Sequence, residues 1–186
     1  TTGASILNEI EALPRGLQFW RMSTSWIGGI GVVMFALVIL PSIGKSKMML
    51  SHFELSSLAK DNFNLYRTPT VVRIVLSVYI GLTIVTTLLL KLCGMTWFDS
   101  VCHAMSACGT CGFGTKNLSI AWFDSAWIEI VLMVAMATSG IHFGLIYATI
   151  IGNSKNIFRS EVTRTYFAVI VVGSLLLAVS LYFGHV

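Results

Sequence analysis

Charge is what this sequence has least of. Of 186 residues only 11% are charged, twelve Lys and Arg against eight Asp and Glu, while 55% are hydrophobic and the mean hydropathy is +0.82. Soluble domains carry about a quarter charged residues to keep their surfaces wet, so that class is excluded and most of the chain must be dissolved in lipid. Cysteine is scarce too: Cys93, Cys102, Cys108 and Cys111 supply one CxxC and no second CxxC or HxxxH. That falls short of the four converging ligands a structural zinc site needs. Proline is confined to Pro14, Pro41 and Pro69, at the edges of apolar runs. No Met opens the chain and no secretory pattern precedes the first apolar run, so a piece of a longer chain is expected.

What is present is long apolar runs. A helix crossing about 30 Å of hydrocarbon needs about 20 mostly apolar residues, and four stretches qualify: 17–40, 71–92, 126–151 and 165–183. The basic residues fall between them. Lys45, Lys47, Lys60, Arg67 and Arg73 separate the first two, and Lys155, Arg159 and Arg164 the last two. The positive-inside rule makes both linkers cytoplasmic and argues against nucleic acid as partner of the net charge of +4. Thr68-Pro69 marks a helix start, and Pro41 falls where the first run ends.

This topology leaves residues 91–125 as an excursion that begins and ends on the outer side. Within it Trp97, Phe98, Val101, Cys102 and Met105 have helical spacing, opened by a capping box at Thr96 and Asp99. A helix over 97–108 would be about 18 Å long, too short to span. It can only enter and return. Non-helical backbone at that depth is tolerated where protein covers it or water reaches it, so the stretch that follows, Thr110-Cys111-Gly112-Phe113-Gly114, should line a cavity. The chain opens on Thr1-Thr2-Gly3-Ala4-Ser5, with Thr and Gly at matching offsets. One complete helix, short helix, loop and helix unit and the tail of another are expected. Such repeats build transport sites at their interface, and backbone carbonyls beside glycine can replace the water around a dehydrated cation without burying a fixed negative charge.

Together these stretches resemble the Trk/Ktr/HKT superfamily of potassium transporters, and within it the bacterial Trk-type membrane subunit. The resemblance rests on Thr1 to Ser5, Phe19-Trp20-Arg21, Trp26-Ile27-Gly28-Gly29-Ile30-Gly31, Ile39-Leu40-Pro41, Phe98-Asp99 with His103, Gly112-Phe113, and Ser139-Gly140 with Gly144. It implies an all-α integral membrane protein whose helix, re-entrant pore helix, filter loop and helix units surround one pore. On that pattern 1–68 holds a filter loop, the second helix of the first repeat and a cytoplasmic linker. Residues 69–152 hold the second repeat, with helix 69–93, pore helix 97–108, filter 110–114 and helix 124–152, and 153–186 hold a linker and the first helix of the third. The filter role transfers to Thr1, Thr2, Gly3 and Ala4 and to Thr110, Cys111, Gly112 and Phe113. Cys111 departs from the threonine or small apolar residue expected there. The resemblance further implies K⁺ as the transported ion with no cofactor, no enzymatic activity, a homodimer in the plasma membrane with its filter loops facing outside, and a cytoplasmic nucleotide-binding regulatory subunit docked on the basic linkers.

Competing readings attach to single residues. Cys108 and Cys111 admit a membrane redox or metal protein, but Cys102 and His103 would point about 100° apart on a helix, and small residues packing behind a filter is the favoured reading. A relative that prefers Na⁺ is the alternative within transport. His142 on the third run is either a pore residue or a neutral imidazole bonded to a neighbouring helix. His103 reads as a hydrogen-bonding support behind the loop. Arg21, one turn into the first run, either holds the filter or pairs with Glu9 or Glu11, the second being favoured. Asn117-Leu118-Ser119 is a glycosylation sequon on the outer side.

Overall fold

The computed structural model describes residues 1, 3–38, 68–141 and 161–184. Helices α1 (Arg15–Val38), α2 (Thr68–Leu92), α3 (Trp97–Cys108), α4 (Ala126–Ser139) and α5 (Glu161–Gly184) are joined by irregular segments, one of which holds a 3-10 turn at Ser119–Phe123; there is no strand among the described residues. Two described helices, over Val72–Leu92 and Thr163–Tyr182, are long and apolar enough to cross a membrane. Helix α1 is as long, but Gln18, Arg21, Ser23, Thr24 and Ser25 lower its apolarity. The described part of α4 stops at 14 residues.

Helix α3 is the centre of the molecule, packed between α1, α2 and α4. Its start is fixed by Thr96, whose Oγ1 accepts the Asp99 N–H at 3.2 Å and donates to Asp99 Oδ2 at 2.7 Å. A cap of this kind stabilises a helix by about 1 kcal/mol. Buried around its circumference are Ser100, Cys102, Ala104, Ser106, Ala107 and Cys108. Small side chains let three helices approach one short helix closely, which is how helices associate where lipid removes the hydrophobic drive between them. Ala104 and Ala107 join Leu90, Met95, Ile128, Leu132 and Ala135 in one apolar cluster that ties α2, α3 and α4 together.

Helices α1 and α2 are held by a polar joint. The Tyr79 hydroxyl donates to the Trp26 carbonyl at 2.9 Å, the Trp26 indole N–H donates to Thr83 Oγ1 at 3.0 Å, and the two rings lie 5.2 Å apart. Gly29 permits this approach, because a Cβ there would stand 3.0 Å from the Tyr79 hydroxyl and 3.1 Å from the Gly109 Cα. Helix α5 differs, its apolar window being wholly unburied. Leu175, Leu176 and Leu177 therefore face whatever surrounds this chain.

Ala104 has no accessible surface. Ala104→Leu should lower stability by about 1–3 kcal/mol through overpacking, read as a fall in melting temperature of the detergent-solubilised protein, whereas Ile130→Ala, on the exposed face of α4, should leave it nearly unchanged.

Candidate functional site

The site is built where α3 ends. Thr110 N–H donates to the Ala107 carbonyl at 3.2 Å and Cys111 N–H to the Ser106 carbonyl at 3.1 Å. These paired bonds close a helix through one left-handed residue, a position normally held by glycine. Here it is Thr110, at φ +52°. A β-branched side chain in that region is strained by roughly 1–3 kcal/mol. Gly112 is also left-handed, at φ +77°. Between them Cys111 turns inward, buried with its Sγ 3.3 Å from Ser106 Oγ, while Thr110 and Gly112 are exposed.

The opening loop lies against this one. Gly3 has φ +71°, and a Cβ on it would overlap the Cys111 carbonyl oxygen. Only glycine lets these two backbones meet. Thr1 lies beside α1, its Cγ2 3.8 Å from where a Gly28 Cβ would be. Ala4 is exposed, and Thr2 lies outside the described residues. The structure thus brings Gly3 to Cys111, with Thr110 and Gly112 on either side.

Three sets of contacts hold the loops. Asp99, buried at the start of α3, accepts the Thr115 hydroxyl on Oδ1 at 2.7 Å and so ties the loop's exit back to its helix. On the outer side the Ile10 N–H donates to Asn117 Oδ1 at 2.7 Å, the Asn117 N–H donates to Glu11 Oε1 at 3.3 Å, and Lys116 Nζ stands 3.7 Å from Glu11 Oε2. The third contact is the Arg21 guanidinium, 3.8 Å over the Phe113 ring, a stacking worth about 0.5–2 kcal/mol. Glu11, one of the carboxylates expected to pair with Arg21, meets Lys116 instead, because the second loop presents an aromatic face to the arginine and a lysine to the acid. Lys116, Asn117, Thr115 and Tyr79 were not singled out as partners of the loops. The available signal for the first two was that they follow one glycine loop as Ile10 and Glu11 follow the other.

His103 is buried on α3, its Nδ1 2.9 Å from the Asp99 carbonyl oxygen and its ring edge-on to Phe123. A carbonyl only accepts, so Nδ1 carries the proton. Nε2 is buried without a hydrogen-bond partner, a position that disfavours the charged form. A cavity of about 280 Å³ opens beside it, bounded also by Ser106, Cys111, Gly112, Leu132 and Met136. Cys102, Cys108 and Cys111 are buried free thiols, and no group of three or more metal-ligating side chains occurs among the described residues. His142 lies outside the described residues.

The described residues form helices with two glycine loops meeting beside a buried short one, and the comparisons with known proteins place the chain among membrane transport proteins. The family described as "TrkH: Cation transport protein" matches residues 1–181. Among similar proteins, the Trk system potassium uptake protein TrkH of Salmonella typhimurium is 32% identical over 158 residues, covering 85% of this chain and 33% of that relative. The TrkH of Halomonas elongata is 34% identical over 145 residues, covering 78% of this chain and 30% of its own length. The crystal structure of the potassium transporter TrkH from Vibrio parahaemolyticus superposes with a TM-score of 0.75 at 26% identity, over 92% of this chain and 34% of that one. The chain belongs to the TrkH family of cation transport proteins. It spans about a third of the length of the curated relatives it matches.

Asp99 offers one oxygen to each of two hydroxyls. Asp99→Asn keeps the shape but turns an N–H₂ toward one of them, and should cost about 1–3 kcal/mol. The expected result is a lower melting temperature in detergent and faster proteolytic cutting between residues 109 and 119.

Proposed function

We propose that this chain forms part of the membrane subunit of a Trk-type K⁺ uptake system, with residues 1–4 and 110–113 as two sides of a selectivity filter. The observation that carries the reading is the backbone contact of Gly3 with the Cys111 carbonyl, between two loops that each turn through a left-handed glycine. In an ordinary extended strand successive carbonyls alternate sides. Left-handed residues at Thr110 and Gly112 rotate peptide planes so that neighbouring carbonyls can share a side. A ring of such oxygens replaces the water of a dehydrated cation, and K⁺ fits this reading because the named relatives are potassium uptake proteins.

Two loops make two sides only. The first loop and its helix are covered by the second repeat: Gly3 meets Cys111, and Ser25 is buried under Gly109. The corresponding positions of the second repeat are open. Among the described residues a Cβ on Gly112 would meet nothing within 4 Å, and Met136 is 41% exposed beside the cavity. Further repeats of the same polypeptide complete the pore in this reading.

Helices α1, α2, α4 and α5 then cross the plasma membrane, α3 enters from outside and returns, and the basic linkers 45–73 and 155–164 face the cytoplasm as docking surface for a nucleotide-binding regulatory subunit. Most of those linker residues lie outside the described set. The functional unit is a homodimer of pores with K⁺ as cargo and no cofactor.

The direct test is growth at low external K⁺ of a host lacking its own uptake systems and expressing the complete gene. Rescue is expected, also with Cys108 and Cys111 both changed to Ser. Loss of rescue in that double variant would favour thiol chemistry over a carbonyl pore.

Thr110 gives a sharper prediction. Thr110→Gly removes the left-handed strain and should raise stability by about 1 kcal/mol. It also removes a hydroxyl from the filter and frees its backbone, so K⁺ uptake should fall by about tenfold or more. Stability from melting in detergent and ⁸⁶Rb⁺ uptake should move in opposite directions.

A further inference from the structure

One geometry occurs twice in this chain, at joints far apart in sequence. Tyr79 of α2, 2% exposed, donates its hydroxyl to the Trp26 carbonyl of α1. Tyr166 of α5 donates its hydroxyl to the Ala137 carbonyl of α4 at 3.3 Å. Each accepting residue stands three positions before a glycine, Gly29 in α1 and Gly140 at the end of α4. The glycine makes the room: a Cβ on Gly29 would press the Tyr79 hydroxyl at 3.0 Å, and one on Gly140 would overlap the Tyr166 hydroxyl. The Trp26 carbonyl lies inside α1 and accepts the phenol on a second lone pair beyond the one its ladder uses, whereas the Ala137 carbonyl belongs to the last turn of α4, where the Ile141 N–H goes to the Thr138 carbonyl instead. In both joints the first helix of one repeat donates to the second helix of the repeat before.

At the first joint the consequence reaches the loop directly. Gly29 also touches Gly109, its Cβ position lying 3.1 Å from the Gly109 Cα, and a Cβ on Gly109 would lie 3.2 Å from the Ser25 carbonyl oxygen and 3.3 Å from the Trp26 Cα. One point on α1 therefore faces both the phenol and the root of the Thr110–Gly112 loop. Any slide of α1 along α2 moves that root. Packed glycine backbones have no side chain to absorb the displacement.

We propose that Tyr79 is a positioning residue for ion selection: its hydroxyl fixes α1 against α2 and thereby sets the height of the second filter loop, and Tyr166 is the same device between the second repeat and the third. This rests on the reading of residues 110–113 as filter. The phenol touches no ion, so its effect should appear in discrimination and apparent affinity before it appears in the amount of folded protein.

The experiment uses the complete transporter with ⁸⁶Rb⁺ and ²²Na⁺ uptake. Tyr79→Phe keeps the ring against Trp26 and leaves the carbonyl its helix bond, so the variant should fold. Loss of one neutral hydrogen bond is expected to raise the KM for K⁺ by about threefold to tenfold and to lower the K⁺ to Na⁺ ratio comparably, with maximal velocity changed less. Tyr166→Phe should shift both in the same direction. Gly29→Ala, which crowds the same hydroxyl and the Gly109 backbone, serves as a second variant should Tyr79→Phe fail to fold, and Gly31→Ala, with nothing within 4 Å of its Cβ, is the control expected to behave as wild type. The positioning role is overturned if Tyr79→Phe and Gly29→Ala keep KM and the ion ratio within about twofold of wild type. A wild-type protein that takes up no K⁺ would instead overturn the filter reading itself.

Discussion

A chain that leaves the helical state at membrane depth must satisfy its own helix end, because nothing around it will. Helix α3 does this for three of its last four carbonyls. The carbonyls of Met105, Ser106 and Ala107 accept the N–H groups of Gly109, Cys111 and Thr110 in turn, and Ser139 of α4 adds a hydroxyl to the Ala107 carbonyl at 3.3 Å. The helix is closed by its own loop and buttressed by the next helix. The oxygens of the loop itself are thereby left to be answered by whatever fills the space they face.

From that closure follows the size of the neighbouring side chains. A loop that must be held rigidly needs backbone on all sides, and backbone comes close only through small residues. Gly29 and Gly109 meet almost Cα to Cα, Gly3 meets the Cys111 carbonyl, and α3 itself is lined by serine, alanine and cysteine. Larger polar residues at these contacts meet definite neighbours: the Tyr79 hydroxyl the Trp26 carbonyl, the Trp26 indole Thr83, and the Arg21 guanidinium the Phe113 ring. The cysteines fall on the small side of this division. Cys111 packs behind the loop against Ser106 as a serine-sized group would.

Much of this was legible because it is written in local chemistry. The Thr96 and Asp99 capping box marks the start of α3 through hydrogen bonds three residues apart, Gly112 and Gly3 stand out as glycines beside apolar helices, and Thr110 stands out through the Thr and Gly offsets that the two loops share, although its left-handed φ does not show in sequence. What stayed hidden depends on pairs distant in sequence. Asp99 could be seen to cap its helix but not to hold Thr115 with its other oxygen. Arg21 had two acidic candidates nearby in sequence, and its actual neighbour, Phe113, arrives only once the second loop has folded over α1. Asn117 read as a sequon, whereas its amide oxygen accepts the Ile10 N–H across the two outer loops. Tyr79 was one aromatic residue among many in an apolar run, and no periodicity distinguishes a phenol with a carbonyl to meet.

Magnitudes separate the contacts that set the loops from those that merely accompany them. The Glu11 and Lys116 pair is open to solvent, with Glu11 42% exposed and Lys116 half-buried, and such pairs contribute about 0–1 kcal/mol, less in salt. Thr110 alone stores roughly 1–3 kcal/mol of backbone strain. The outer ion pair is therefore too weak to hold that residue in its left-handed state. The burden falls on the inner set: two backbone bonds at the helix end, the thiol of Cys111 against Ser106, and the Asp99 carboxylate on Thr115, with Cys111, Ser106, Asp99 and Thr115 buried, where leaving either partner unpaired is far more costly than making the bond is favourable. The geometry of the second loop is thus imposed from behind, by α3 and α1, and the outer loops follow it. This ordering explains why a threonine can occupy a position that ordinarily demands glycine.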